Sequence, residues 1–184
     1  MIKLLNPEGI RTMNQPDEKF VYHGSKELFE TVIPKRQVRS RVDKEGNVKV
    51  IFDDISFHAT PYKWIGLAYT YDPKRYEIDG KIAHYNMGVS LYEHTEELEI
   101  FGFESLEKSL ERLYGDGGYL FMFEKEKFFH TEGLGDLEVI TKDPLRPVRV
   151  DRIDDPVAEL KQLGVKFKYI DLALSENEKW RNYR

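Results

Sequence analysis

Apolar and polar positions alternate or cluster along this chain in short runs, and few of those runs have a helical period. The first candidate strand is Lys19 to Tyr22, ending at His23-Gly24, after which Ser25 has the character of an N-cap for a short helical turn, KELFETV. Val38 to Val42 and Val48 to Phe52 read as two arms of a hairpin, joined through DKEGN, where Gly46-Asn47 supplies the turn. Ile55 to His58 is a further short strand. Thr60-Pro61 has the form of an N-cap followed by proline at the first helical position, opening a helix through YKWIGLAYTY that ends before Asp72-Pro73. Residues 76–103 contain β-type stretches, KIAHYNMGVSLYE and LEIFGF. In SLEKSLERLY, residues 105–114, Leu106, Leu110 and Leu113 recur at helical spacing behind a serine cap, and the run stops at GDGG. GYLFMFEKEKF reads as a buried strand, LEVITKD and PVRVDRID as two more broken at Asp143-Pro144, and DPVAELKQLG as a capped final helix. Strands outnumber helices and do not alternate with them, so the predicted class is α+β, without a βαβ rhythm.

Length and composition narrow this picture. A chain of 184 residues fits one domain, with a core of about residues 20–153, an N-terminal extension and a helical or extended C-terminal tail. Its 40% hydrophobic and 33% charged residues are those of a soluble globular protein, and no apolar run approaches the roughly 20 residues of a membrane span. The N-terminal stretch breaks at Asn6-Pro7 before any secretory apolar region develops, so the expected location is cytoplasmic, with no membrane partner. The absence of cysteine removes disulfides, thiol nucleophiles and cysteinyl metal sites. The five histidines, His23, His58, His84, His94 and His130, have no metal-binding spacing, and no metal is expected. A net charge of −5 argues against duplex nucleic acid as a partner of the whole surface. PKRQVRSRVDK, residues 34–44, runs the other way, with five basic residues against Asp43. It is either a solvated strand edge or a patch facing phosphate or an acceptor. The GDGG at 115–118 precedes a strand where phosphate loops precede a helix, so it reads as a turn.

Four stretches in order, YHGS closing the first strand, FHATPYKWIGLAY as strand into helix, GYLFMFEKEKF, and LEVITKDPLRPVRV, resemble the ADP-ribosyltransferase superfamily. The resemblance is to its H-Y-E branch, which includes poly-ADP-ribose polymerases and diphtheria-type toxins. It covers roughly residues 20–153 and implies split antiparallel sheets with a few short helices, and NAD as substrate. The reaction implied is transfer of ADP-ribose to a macromolecular acceptor, protein or nucleic acid, or hydrolysis of NAD, with release of nicotinamide. By the same resemblance, His23 binds a hydroxyl of the adenosine-side ribose, and the Gly24 backbone meets the nicotinamide carboxamide. A glycine suits that position because a planar amide approaches the main chain closely only where no Cβ intervenes. Tyr69, eleven residues after His58, takes the outer face of the nicotinamide ring. The inner position departs from the family's tyrosine, being Phe57 or His58; either ring can stack, but neither carries a hydroxyl. Glu138, opening a strand after the glycine-containing loop TEGLGD, takes the catalytic position, and Asp136 makes D-L-E a shortened form of the E-x-E of arginine-modifying members. Ser56, Ala59 and Thr60 are assigned only capping and close packing. The alternatives are an RNA 2′-phosphotransferase-like enzyme, for which Arg36, Arg39 and Arg41 are the available cations, and an inactive binding module of the same fold. A toxin role, with an antitoxin or immunity partner, is compatible with the resemblance.

Overall fold

A computed structural model of the chain describes residues 15–43, 45–72, 75–78, 81–92 and 95–172. His94 and most of the N-terminal extension and C-terminal tail lie outside these residues. The architecture is mixed α+β, with eleven strands and three short α-helices among the described residues. The strands are β1 (Phe20–Ser25), β2 (Lys35–Val42), β3 (Val48–Ala59), β4 (Arg75–Ile78), β5 (Lys81–His84), β6 (Asn86–Tyr92), β7 (Thr95–Gly102), β8 (Gly118–Glu124), β9 (Val139–Thr141), β10 (Arg149–Ile153) and β11 (Lys166–Asp171). The helices are α1 (Lys63–Ala68), α2 (Leu106–Tyr114) and α3 (Pro156–Gln162). No described helix is long and apolar enough to cross a membrane.

Three three-stranded sheets have the orders β1-β8-β10, β2-β3-β9 and β11-β7-β6, and β4 pairs with β5. All neighbours are antiparallel except β7 and β11. The sheet centred on β8 is a wall between two cores, which explains why GYLFMFE is apolar almost throughout. Successive side chains leave a strand on opposite faces. Leu120 therefore joins a core with Trp64, Leu67, Leu98, Ile100, Leu113 and Leu160, while Phe121 and Phe123 join a second with Val21, Val32, Ala59, Phe128 and Val139. A strand buried on both faces cannot show alternation.

α2 begins where its sequence indicates, with the Ser105 side chain accepting from the Lys108 N–H, and α3 is capped in the same way by Asp155. Other elements differ from expectation. No helix forms in KELFETV: the Ser25 hydroxyl accepts from the Glu27 N–H in a local turn, Phe29 stacks on Phe121 with centroids 3.8 Å apart, and Val32 bridges to Leu145. Seven residues are too few to hold a helix alone, and the stacking and bridge contacts favour an irregular path. The first strand continues through His23 and Gly24 to Ser25, in register with Phe121, Leu120 and Tyr119 of β8. The Ile55–His58 segment is the end of the twelve-residue β3. α1 starts later than the Thr60-Pro61 signal: Thr60 bridges to Tyr22 and its hydroxyl accepts from the Tyr62 N–H, leaving Tyr62 as the cap. Beyond residue 153, α3 supplies Leu160 to the first core and β11 extends the β7 sheet.

Candidate active site

β1 meets the residue just past the end of β3 where Tyr22 and Thr60 exchange main-chain hydrogen bonds of 2.7 and 2.9 Å. This joint holds the ends of two sheets together, and beside it opens a cavity of about 370 Å³. His23 and Gly24 from β1, His58 from β3, Tyr69 from the end of α1, and Glu138 at the entry to β9 all contribute to its lining.

Phe57 does not reach the cavity. Its ring lies 4.5 Å from that of His23 and 5.5 Å from that of Phe123, inside the aromatic core. Strand alternation decides this, because neighbours on β3 face opposite ways and only one of Phe57 and His58 can face the cavity. His58 takes that face together with Ser56 and Phe52, whose ring stands edge-on to His58 at 5.4 Å.

His58 links the site. Its Nδ1–H donates to Glu138 Oε1 at 2.7 Å, its Nε2 shares a hydrogen bond of 2.9 Å with the Ser56 hydroxyl, and its carbonyl oxygen accepts from His23 Nδ1 at 2.9 Å. Two hydrogen bonds through one residue thus connect His23 with Glu138. Arg39 Nη2 approaches the same Glu138 Oε1 at 3.3 Å. Both of these protein donors use Oε1. Burial pushes the Glu138 carboxyl up, but the His58 ring, through its hydrogen bond and field, and the Arg39 guanidinium outweigh that effect and hold it below its usual value. The carboxylate is therefore ionised at neutral pH, and its side chain is 32% exposed.

Burial has the opposite consequence at His23, lowering its pKa to about 4. The ring is neutral at physiological pH. Because a carbonyl oxygen can only accept, the proton resides on Nδ1, and Nε2 presents a lone pair.

Gly24 serves packing as well as the cavity. A Cβ there would collide with the Gly66 carbonyl oxygen and lie 2.6 Å from the Tyr69 carbonyl carbon, and a Cβ on Gly66 would lie 2.6 Å from Tyr22 Cβ. The two glycines let α1 cross β1 at backbone distance, and this places Tyr69 at the rim, 47% exposed. Main-chain groups alternate between strand edges. Since Tyr22 directs its N–H and C=O to Thr60, Gly24 directs its own toward the same edge.

Ser56, Arg39, Gly135 and Leu137 are site components beyond the sequence-based set. Ser56 had a signal, being two residues from His58 on one strand face. Arg39 belongs to the basic run, which the structure divides: Arg36 makes two hydrogen bonds of 2.8 and 2.7 Å to Asp53 at the surface, while Arg39 lines the cavity. Asp136 is exposed and does not line the cavity, whereas its neighbours Gly135 and Leu137 do. The Ser56–His58–Glu138 chain has the connectivity of a hydrolytic triad, but Ser56 is 1% exposed and absent from the lining. A nucleophile must touch substrate; Ser56 orients His58 instead. Comparison of the chain with protein-family models, curated proteins and solved structures finds no match.

Proposed function

We propose that the chain cleaves NAD in the manner of an ADP-ribosyltransferase, releasing nicotinamide and passing ADP-ribose to a macromolecular acceptor or to water. The observation that carries this reading is the convergence of His23, Gly24, His58, Tyr69 and Glu138, from separate parts of the sequence, on one cavity with an ionised and oriented carboxylate. The two antiparallel sheets joined beside that cavity are a second support for the reading.

Cleavage breaks the bond between ribose C1′ and the pyridinium nitrogen. The bonding pair leaves with nitrogen as neutral nicotinamide, and positive charge grows on the ribose. Glu138 answers that charge: His58 and Arg39 hold Oε1, and Oε2 meets the ribose side. His23 Nε2 accepts a hydrogen bond from a ribose hydroxyl. The outward N–H and C=O of Gly24 match the acceptor and donor of a planar carboxamide. The Tyr69 ring gives the nicotinamide a stacking face, and His58, in the inner position, gives up free stacking for a fixed hydrogen bond to the carboxylate. An RNA 2′-phosphotransferase requires several cations around a phosphate; Arg39 is the one lysine or arginine lining the cavity among the described residues, which favours NAD cleavage without a second phosphate.

The test is nicotinamide release from labelled NAD by the purified chain and by Glu138→Gln. The substitution keeps size and removes charge, so turnover falls about 10²–10³-fold while calorimetric NAD affinity changes little. Label on the adenylate side, followed into a lysate, separates transfer from hydrolysis. A wild-type chain that releases no nicotinamide, or a variant as fast as wild type, overturns the reading.

A further inference from the structure

Arg39 occupies an unusual position for a residue in a basic run on an edge strand. It pairs with Phe52 in register, on the side of the β2–β3 ribbon that carries Ser56 and His58, and the register shifts between Arg39 and Ser40. A bulge of this kind re-aims a side chain and breaks regular pairing, and bulges concentrate beside binding sites. Arg36, three residues earlier, is tied to Asp53 by two short hydrogen bonds. Arg39 has one long contact of 3.3 Å to Glu138, and its side chain is 51% exposed. Its other donors make no hydrogen bond among the described residues, and the side chain lines the cavity.

We propose that Arg39 is the anion-binding residue of this site and takes the pyrophosphate of the dinucleotide. The proposal rests on the NAD-cleavage reading for its ligand. A planar guanidinium presents paired N–H donors that match two phosphate oxygens, and a ligand carrying two negative charges meets no other lysine or arginine in the described lining. Glu138 does not lose its orientation when Arg39 turns to the phosphates, because the 2.7 Å bond from His58 holds the same oxygen more closely. Arg39 thus discriminates a phosphate-bearing dinucleotide from the bare nucleoside, and it contributes more to binding than to the chemical step.

Calorimetric titration of the full wild-type, Arg39→Gln and Arg39→Lys chains with NAD, nicotinamide riboside and inorganic pyrophosphate tests this. Arg39 is at the surface of an edge strand, and circular dichroism verifies the fold of each variant. Arg39→Gln should weaken NAD by about 10–100-fold, as loss of charge-assisted hydrogen bonds does, and leave riboside affinity within about threefold, the spread ordinary for context. Arg39→Lys should recover part of the loss, and pyrophosphate should displace NAD from wild type but not from Arg39→Gln. Equal losses for NAD and riboside, or no loss for NAD, overturn the proposal while NAD cleavage stands. If wild type binds neither NAD nor riboside, the NAD reading fails. Pyrophosphate binding that Arg39→Gln abolishes would then still support an anion site, and its absence would remove that as well.

Discussion

His23 makes the protein acid-labile in a window that its burial defines. The imidazole has a pKa of about 4 in the folded chain against 6.5 for an unburied histidine. Between those values the unfolded chain takes up a proton that the folded chain does not. Stability is therefore fully present above pH 6.5 and is lost as pH falls toward 4. At about 1.36 kcal/mol for each unit of difference, the complete loss is about 3 kcal/mol, and roughly 2 kcal/mol of it falls between pH 7 and pH 5. The perturbation that isolates this effect is His23→Asn, whose side-chain N–H can take the place of Nδ1–H toward the His58 carbonyl but cannot be protonated in this range. The variant loses ring packing against Phe57 and is less stable at pH 7. Its dependence on pH is the decisive quantity. Urea unfolding of both chains at pH 7 and pH 5 should show wild type losing about 2 kcal/mol more than the variant over that interval. Equal losses would mean that His23 is solvated enough to titrate normally, and the neutral Nε2 acceptor assigned to it would no longer follow.

Two further substitutions test how the site is held. Gly24→Ala forces a methyl against the Gly66 carbonyl and the backbone of Tyr69 and Thr70, so thermal unfolding should show a loss of about 1–3 kcal/mol from overpacking, where an unchanged midpoint would refute the close crossing of β1 and α1. Ser56→Ala removes the 2.9 Å partner of His58 Nε2. Nicotinamide release should slow about 5–10-fold, the worth of one neutral hydrogen bond of about 1 kcal/mol, with KM for NAD unchanged; a rise in KM alone would place Ser56 in binding instead.

The sequence by itself determined the elements whose signals lie within a few residues. Ser105 and Asp155 cap the helices they precede, and Gly46, at φ 86°, turns the β2–β3 hairpin. The apolar run around Phe121 marks the strand between the cores. Such signals depend on side chains reaching their own backbone or on one local period, so no knowledge of the rest of the chain is needed. His23, Gly24, Tyr69 and Glu138 stood out as candidates only through the resemblance of their stretches to the ADP-ribosyltransferase superfamily. Tertiary structure alone chose His58 over Phe57, because the choice depends on which face of β3 meets the aromatic core. It alone made Gly24 a contact for α1, and it excluded a helix from KELFETV by giving Phe29 a ring to stack on. The bonds that define the site join residues 35, 80 and 99 positions apart, His23 with His58, His58 with Glu138, and Arg39 with Glu138. Nothing in a local pattern encodes such distances. They are fixed by the packing of two sheets at the Tyr22–Thr60 joint, and by strand alternation along β2, which puts Arg39 on the face of Phe52 and His58 while Arg36, three residues earlier, faces the other way and pairs with Asp53 at the surface.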